Sequence, residues 1–294
     1  MYVKKLIGKT CEKLASLPVI GTLLEPKPKV AVIRLSGVIA DTHMRKSGIS
    51  HARFDKIIEE AFDTYKLEAV ALVINSPGGS PAQSELLGKH IRRLADEKDI
   101  PIYAFVEDVA ASGGYWLACA ADTIYAQETS ITGSIGVISA SFGFEDLIEH
   151  YHVKRRVYTS GKDKSFLDPF LSEKPRDVKR LKSIQFDLHE RFKDWVRMRR
   201  GKRLSGEDKD VFEGQFWLSG KAQELGIIDG IGDMRSIMKE KFGESVKLVE
   251  FGPEKGFLSG LISADIAKKT LSTSLPDDFL ETLEKQVIYG RYGL

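Results

Sequence analysis

Short apolar runs rich in β-branched residues recur along this chain, and each is separated from the next by a stretch long enough for a helix. Val30-Ala31-Val32-Ile33-Arg34-Leu35, Ala69 to Ile74 and Pro101 to Val106 have few polar positions, so each reads as a strand buried on both faces. Between them, residues 51–64 place Phe54, Ile57, Ile58 and Phe62 at helical spacing. Residues 82–96 do the same with Leu86, Leu87, Ile91 and Leu94. A helix to about Ala120, a strand at Thr123–Ala126 and a turn and strand through Gly133-Ser134-Ile135-Gly136-Val137-Ile138 continue the series. Alternation of this kind specifies an α/β fold. It predicts a mostly parallel sheet covered by helices, with working groups on the loops that follow strand ends.

The length of 294 residues fits one large domain with extensions. Glu25-Pro26-Lys27-Pro28-Lys29 reads as a linker, which divides an N-terminal extension (residues 1–29) from a core domain (30–251). Within that domain the character changes at residue 174. A long helix begins at Pro175, striped by Val178, Leu181, Leu188, Phe192, Trp195 and Val196, and a small α/β module follows to Phe251. Residues 252–294 form an amphipathic tail, with a helix start at Leu275-Pro276-Asp277-Asp278.

The net charge is +2, so no global field selects nucleic acid as a partner. Between Lys174 and Arg203 there are 12 Lys/Arg against 4 Asp/Glu, a pattern more often a solvated face than a contact with acidic lipid or substrate. Cys11 and Cys119 lie far apart and read as reduced thiols. No apolar run reaches the roughly 18 residues of a membrane span. Lys4, Lys5, Lys9 and Lys13 precede an uncharged stretch to Leu24 that is interrupted by Pro18 and Gly21. Residues 1–24 therefore fit either a basic amphipathic helix on an acidic lipid surface or a subunit contact. A cytoplasmic chain, peripheral on a membrane at most, is the expectation.

At the third strand the chain reads Glu107-Asp108-Val109-Ala110-Ala111-Ser112-Gly113-Gly114-Tyr115. Ser112 falls where strand turns to helix, flanked by residues with almost no side chain. This is similar to a nucleophile elbow, with Ala110 where that pattern has glycine. A plain N-cap serine satisfies the same residues. Acyl transfer at serine also needs oxyanion donors and a base. Ser76-Pro77-Gly78-Gly79-Ser80, after the second strand, offers an amide with no Cβ in the way, and Gly113 offers a second. None of the six histidines carries a local signature of partnership with Ser112. His43, His51 and His90 have charged neighbours, His150 and His152 flank Tyr151, and His189 lies in the basic helix. The His150-x-His152 spacing lacks a completing Cys or acidic cluster, so no metal or cofactor is expected. Lysine is the other base, and Lys162 and Lys164 lie in Ser160-Gly161-Lys162-Asp163-Lys164-Ser165-Phe166. Either would need its pKa lowered from about 10.4 towards 8, an environment Phe166, Leu167 and Phe170 could supply.

Taken together, Asn75-Ser76-Pro77-Gly78-Gly79, Ala111-Ser112-Gly113-Gly114-Tyr115, Thr132-Gly133-Ser134-Ile135-Gly136-Val137 and Ser160-Gly161-x-x-Lys164 resemble the signal peptide peptidase A (protease IV) family. The likeness covers roughly residues 30–251, including the later Glu213-Gly214…Trp217…Gly220 pattern. It implies the ClpP/crotonase-like fold of repeated ββα units with a helical C-terminal extension, and a serine endopeptidase acting on unfolded or membrane-derived, signal-peptide-like chains. Carried over by position, it implies Ser112 as nucleophile, Lys164 as base in preference to Lys162, Ser134 orienting the lysine amine, and Gly79 and Gly113 as oxyanion donors. It further implies a homo-oligomeric ring, in which the lysine can reach a neighbour's serine. The expected strand at Ile135–Ile138 and the segment around Gly79 are placed to bind an extended peptide, making Gly78, Ser80, Ile135, Gly136 and Val137 substrate-binding candidates. Two features depart from the family: many members carry a transmembrane anchor, and Asp163 beside Lys164 favours the protonated amine. The competing readings are a crotonase-type acyl-CoA enzyme, which would want a carboxylate such as Glu107 or Asp108 in the pocket, and a non-catalytic assembly protein on the same fold.

Overall fold

The structure, a computed structural model, describes residues 27–41, 48–161 and 163–253. The basic segment 1–24, the tail from Glu254, Cys11, His43 and Lys162 lie outside the described residues.

Among the described residues, eight strands form one sheet. Its spine is β1 (Lys29–Ser36), β2 (Leu67–Ser76) and β3 (Ile102–Ala111), paired in parallel in the order β3-β2-β1. Parallel neighbours need crossover helices, and the sequence supplies them: α1 (His51–Phe62) between β1 and β2, and α2 (Pro81–Lys98) between β2 and β3. β3 is long enough to serve two neighbours. Tyr103–Val106 pair with β4 (Thr123–Ala126), and Val109–Ala111 pair with β5 (Ile131–Gly133). The edges are β8 (Lys247–Phe251) beside β1 and the antiparallel β6 (Phe216–Leu218) beside β5, while β7 (Gly230–Ile231) extends β4. The α/β class and the parallel spine are as the sequence predicts.

Alternation along the strands sorts side chains to two faces. Ala31, Ile33 and Leu35 join the main core under α1, α2, the short α3 (Gly113–Ala118) and the long α5 (Pro175–Arg200). Val30 and Val32 face a smaller cluster closed by Met238 of α6 (Met234–Phe242). The predicted stripe on α5 buries only its C-terminal half: Phe192, Trp195 and Val196 are buried, whereas Leu188 is exposed. Trp116 of α3 lies against Phe192 (ring centroids 4.9 Å) and Trp195 (6.0 Å), and the Trp195 indole donates to the Trp116 carbonyl at 3.0 Å. α5 is thereby clamped over α3. Among the described residues no helix is long and apolar enough to cross a membrane.

Two expectations are corrected. Leu86 is exposed, because α2 turns Leu87, Ile91 and Leu94 inward instead. The strand expected at Ile135–Ile138 falls earlier, at β5, and is ended by Ser134, whose φ of 53° breaks the extended backbone. A further short helix, α4 (Glu145–His150), then leads toward the loop that carries Lys164.

Candidate active site

The carboxyl ends of β1, β2 and β3 meet at one place. β3 runs to Ala111, α3 begins at Gly113, and Ser112 is the single residue between them. Its backbone takes φ 52° and ψ −121°, a conformation that side-chain-bearing residues rarely adopt and that costs on the order of 1–3 kcal/mol. The Ser112 N–H donates to the Gly133 carbonyl at 2.9 Å, and its carbonyl accepts from Trp116 at 3.0 Å, so both flanking elements hold the strain in place. The side chain makes no capping bond to α3, contrary to the N-cap alternative. A strained serine whose hydroxyl is not spent on its own helix has the geometry of a nucleophile elbow.

The turn after β2 packs directly on this elbow. At Gly78 (φ 98°) a Cβ would come within 2.7 Å of the Gly113 nitrogen and 2.8 Å of the Ser112 Cβ. At Gly79 (φ 145°) it would overlap the Ile39 carbonyl. Ile39 pairs across Gly79 by accepting from Ser80 at 2.7 Å and donating to Gly78 at 2.8 Å. In a parallel bridge of this kind the opposed residue turns its own N–H to the other side. Among the described residues neither the Gly79 nor the Gly113 N–H has an acceptor, which leaves both available to an oxyanion.

A cleft of about 670 Å³ opens above the elbow, lined by Gly78, Gly79, Ser112, Ser134, Gly136 and Val137, with His189, Glu213 and Phe216 on its far wall. Ser134 follows β5, also has positive φ, and donates its N–H to the Gln215 carbonyl at 2.6 Å. Of the positions expected to bind substrate, Gly78, Gly136 and Val137 line the cleft. Ile135 is instead fully buried, and Ser80 is the N-cap of α2, its side chain accepting from Gln83 at 3.4 Å. The N–H groups from Ile135 to Gly143 make no backbone hydrogen bonds among the described residues, so the cleft has an open edge there.

Lys164 is not brought to this site within one chain. It is exposed, on the loop before α5, and does not line the cleft. The neighbouring Asp163 carboxylate is paired with Arg176 (3.1 Å) and Arg180 (3.3 Å) of α5. The loop is pinned further by Arg155, which grips Asp168 through Nε and Nη2 at 3.1 and 2.9 Å.

His189 is the cleft residue that sequence reasoning passed over. Its Nε2 lies 3.2 Å from the Ile135 carbonyl, and as a donor it fixes that backbone. The signal was present: His189 sits three residues before Phe192, on the inward edge of the α5 stripe. Glu107 and Asp108 are elsewhere, bonded to Arg34 (2.5 Å) and to the Asn75 amide (2.6 Å), and neither lines the cleft. Cys119 is fully buried beyond α3, where burial raises its thiol pKa to about 11 and keeps it inert near neutrality.

A mostly parallel α/β sheet carrying a strained serine at a strand-to-helix turn, with two unpaired amides close by, is the arrangement found in serine hydrolases that work through an elbow nucleophile. Residues 95–246 match the family described as peptidase family S49, and the chain belongs to that family. The sequence resemblance to signal peptide peptidase A is thereby borne out. The chain is 28% identical to a putative signal peptide peptidase SppA of Enterococcus faecium, over 87% of this chain and 77% of that protein. It is 44% identical, over 90% of its own length, to a Brucella abortus protein named Na(+)/H(+) antiporter NhaA, and spans 37% of that longer chain. A solved structure of a mutant of the membrane-bound stomatin-specific protease 1510-N superposes with TM-score 0.48 at 14% identity, covering 78% of this chain and all of that one.

Proposed function

We propose that this protein is a serine endopeptidase that cleaves extended, unfolded or membrane-derived peptides through an acyl-enzyme on Ser112. The observation that carries this reading is the strained Ser112 elbow, with the unpaired amides of its neighbour Gly113 and of Gly79 in the turn packed against it. A peptide lying along the open edge at Gly136–Ile138 presents its carbonyl to the Ser112 hydroxyl. Attack forms the tetrahedral intermediate, whose oxyanion accepts from the two glycine N–H groups, each worth about 10²–10³ in rate. The proton goes to a neutral Lys164 amine, oriented by Ser134, and then to the leaving amine; water reverses the cycle and releases the acyl group. Because Lys164 stands outside the cleft of its own chain, the dyad is completed by a neighbouring copy in a homo-oligomer.

The crotonase-type reading loses support because Glu107 and Asp108 are bonded away from the cleft. His189 is the other nitrogen base in reach, and the test includes it. In a fluorogenic peptide assay with parallel fluorophosphonate labelling, Ser112→Ala is expected to lose both turnover and label. Lys164→Ala should fall by at least about 10²-fold, and His189→Ala should remain labelled. Turnover near wild type in Ser112→Ala overturns the reading; loss of all labelling in His189→Ala with Lys164→Ala active moves the base to His189.

A further inference from the structure

On the face of α1 that meets α2, three side chains converge away from the cleft. His51 opens α1 and Asp55 lies one turn along it, an i,i+4 spacing that puts both on the same side of the helix. His90 comes from α2 and is 7% exposed. The His90 Nδ1 is 3.0 Å from Asp55 Oδ1 and 3.2 Å from His51 Nε2, and His51 Nε2 is 3.4 Å from the same carboxylate oxygen. Three donor atoms thus form a nearly equilateral triangle. A tetrahedral metal with bonds of about 2.0–2.1 Å places its ligand atoms roughly 3.3 Å apart, the size of this triangle.

We propose that His51 Nε2, Asp55 Oδ1 and His90 Nδ1 form a three-ligand site for a divalent transition metal of the zinc type, separate from the peptidase site. Two imidazoles and one carboxylate suit such an ion and fall short of the six to eight oxygens sought by calcium. The ring of His90 is committed to this point: its other nitrogen, Nε2, is buried without a partner among the described residues, so Nδ1 makes all its polar contacts. The outer side is open, since the side chains of His51 and Asp55 are 33% and 41% exposed, which leaves a path for the ion and a fourth position for water. No single stretch of sequence shows the site, because His51 and His90 are 39 residues apart on different helices.

The ion would act as a brace. The His51 N–H donates to the Gln83 side chain at 2.8 Å, in the first turn of α2. That helix is capped by Ser80, directly after the oxyanion glycine Gly79. Just ahead of α1, Ile49 pairs with Ile39, the residue that bridges Gly79. A metal fixing α1 to α2 therefore stiffens the scaffold of the turn that receives the oxyanion. At the far end of the same helix pair, the brace is an exposed Asp63–Lys98 ion pair at 2.5 Å, which is worth little alone.

The test uses tag-free, chelator-treated full-length protein titrated with Co²⁺, followed by visible d–d absorption and thermal melting, and then with Zn²⁺ as competitor. One Co²⁺ per chain, a raised melting temperature and displacement by Zn²⁺ are expected. Asp55→Asn and His51→Gln, both at part-exposed positions that leave the core intact, should each weaken Co²⁺ binding by at least about 10-fold. The double variant His150→Ala/His152→Ala should bind as wild type. Absence of a Co²⁺ spectrum and of any melting shift overturns the proposal and leaves a hydrogen-bonded triad in which Asp55 accepts from the imidazoles. Binding untouched in Asp55→Asn and His51→Gln, or lost in the His150/His152 variant, overturns it equally.

Discussion

Ser112 holds a backbone geometry that its own residue type resists, and the surrounding hydrogen bonds to Gly133 and Trp116 keep it there. Strain of that size, on the order of 1–3 kcal/mol, is stored in the folded state and has no counterpart in the unfolded chain. Glycine adopts the same φ freely, at an entropic cost of about 0.5–1 kcal/mol. Ser112→Gly should therefore stabilise the fold by about 1 kcal/mol while abolishing turnover. Ser112→Ala keeps the Cβ, hence the strain, and should abolish turnover with no gain. Urea denaturation of the two variants separates them, and equal midpoints would mean that the elbow is not strained. Sequence alone places Ser112 at the turn, because small residues crowd it on both sides; it cannot give the sign of φ, which the pairing of Gly133 and the close approach of Gly78 impose from elsewhere in the chain.

At the scale of elements, the C-terminal module is locked to the sheet by one buried ion pair. Arg200, at the end of α5, reaches Asp229 through Nη1 and Nη2 at 2.7 and 2.9 Å and the Gly226 carbonyl through Nε at 2.9 Å. Burial acts to lower the Arg200 pKa, but hydrogen bonding to Asp229 and nearby negative charge outweigh it, and the net direction is upward. Asp229 also accepts from the Ile124 N–H at 2.7 Å, and the Tyr115 hydroxyl donates to the Ile227 carbonyl at 2.7 Å, so the pin runs from α5 through β4 to the helix that follows the nucleophile. Asp229→Ala leaves a guanidinium with 1% of its side chain exposed and no counter-ion, at a cost of about 3–5 kcal/mol in chemical denaturation. The Lys164 loop is held more lightly. The Asp168 carboxyl is kept below its usual range, first by the Arg155 side chain and then by the Phe170 N–H. A depressed carboxylate contributes its anchoring above the ordinary carboxylate pKa and loses it as pH falls through the folded value. Proteolysis between residues 155 and 170 should thus be unchanged from pH 8 to 5 and rise only in stronger acid, and Arg155→Ala should show the fast rate at neutral pH. The strands and helices of the spine were legible because their apolar period is local. The misplaced strand at Ile135–Ile138 was not: three of its four residues are β-branched, but β6 pairs antiparallel with β5, which starts four residues earlier, and that partner lies about 85 residues away in the chain. The basic run on α5 reads as a solvated face, which holds for Arg176, Lys179, Arg180 and Lys182, whereas Arg199 and Arg200 at its end turn inward to the Cys119 carbonyl and the Asp229 carboxylate.

The whole molecule presents a serine in its cleft and a candidate base on an outer loop, with exposed apolar side chains in the segment between them. Ile138, Phe142, Leu147, Tyr151, Val153 and Tyr158 are all exposed, Phe142 at 79%. A run of this kind between the cleft rim and the Lys164 loop is suited to contact with another copy, and a ring built through it would carry each Lys164 toward a neighbour's Ser112. If the dyad forms across that contact, the two half-sites are supplied by different chains, and inactive chains can rescue one another. Ser112→Ala and Lys164→Ala proteins, each inactive alone, should regain activity when unfolded together and reassembled, because some contacts then pair an intact serine with an intact lysine. Random mixing of equal amounts puts the two intact groups together at one contact in four, so the recovered rate should approach a quarter of wild type per chain. Phe142→Glu, a change at an exposed side chain that leaves the core alone, should lower the mass seen by light scattering and the peptide turnover together. A reassembled mixture as inactive as its components, with wild-type oligomers still forming, would mean that the lysine reaches the serine of its own chain by closure of the loop at residues 160–171, or that another group takes the proton.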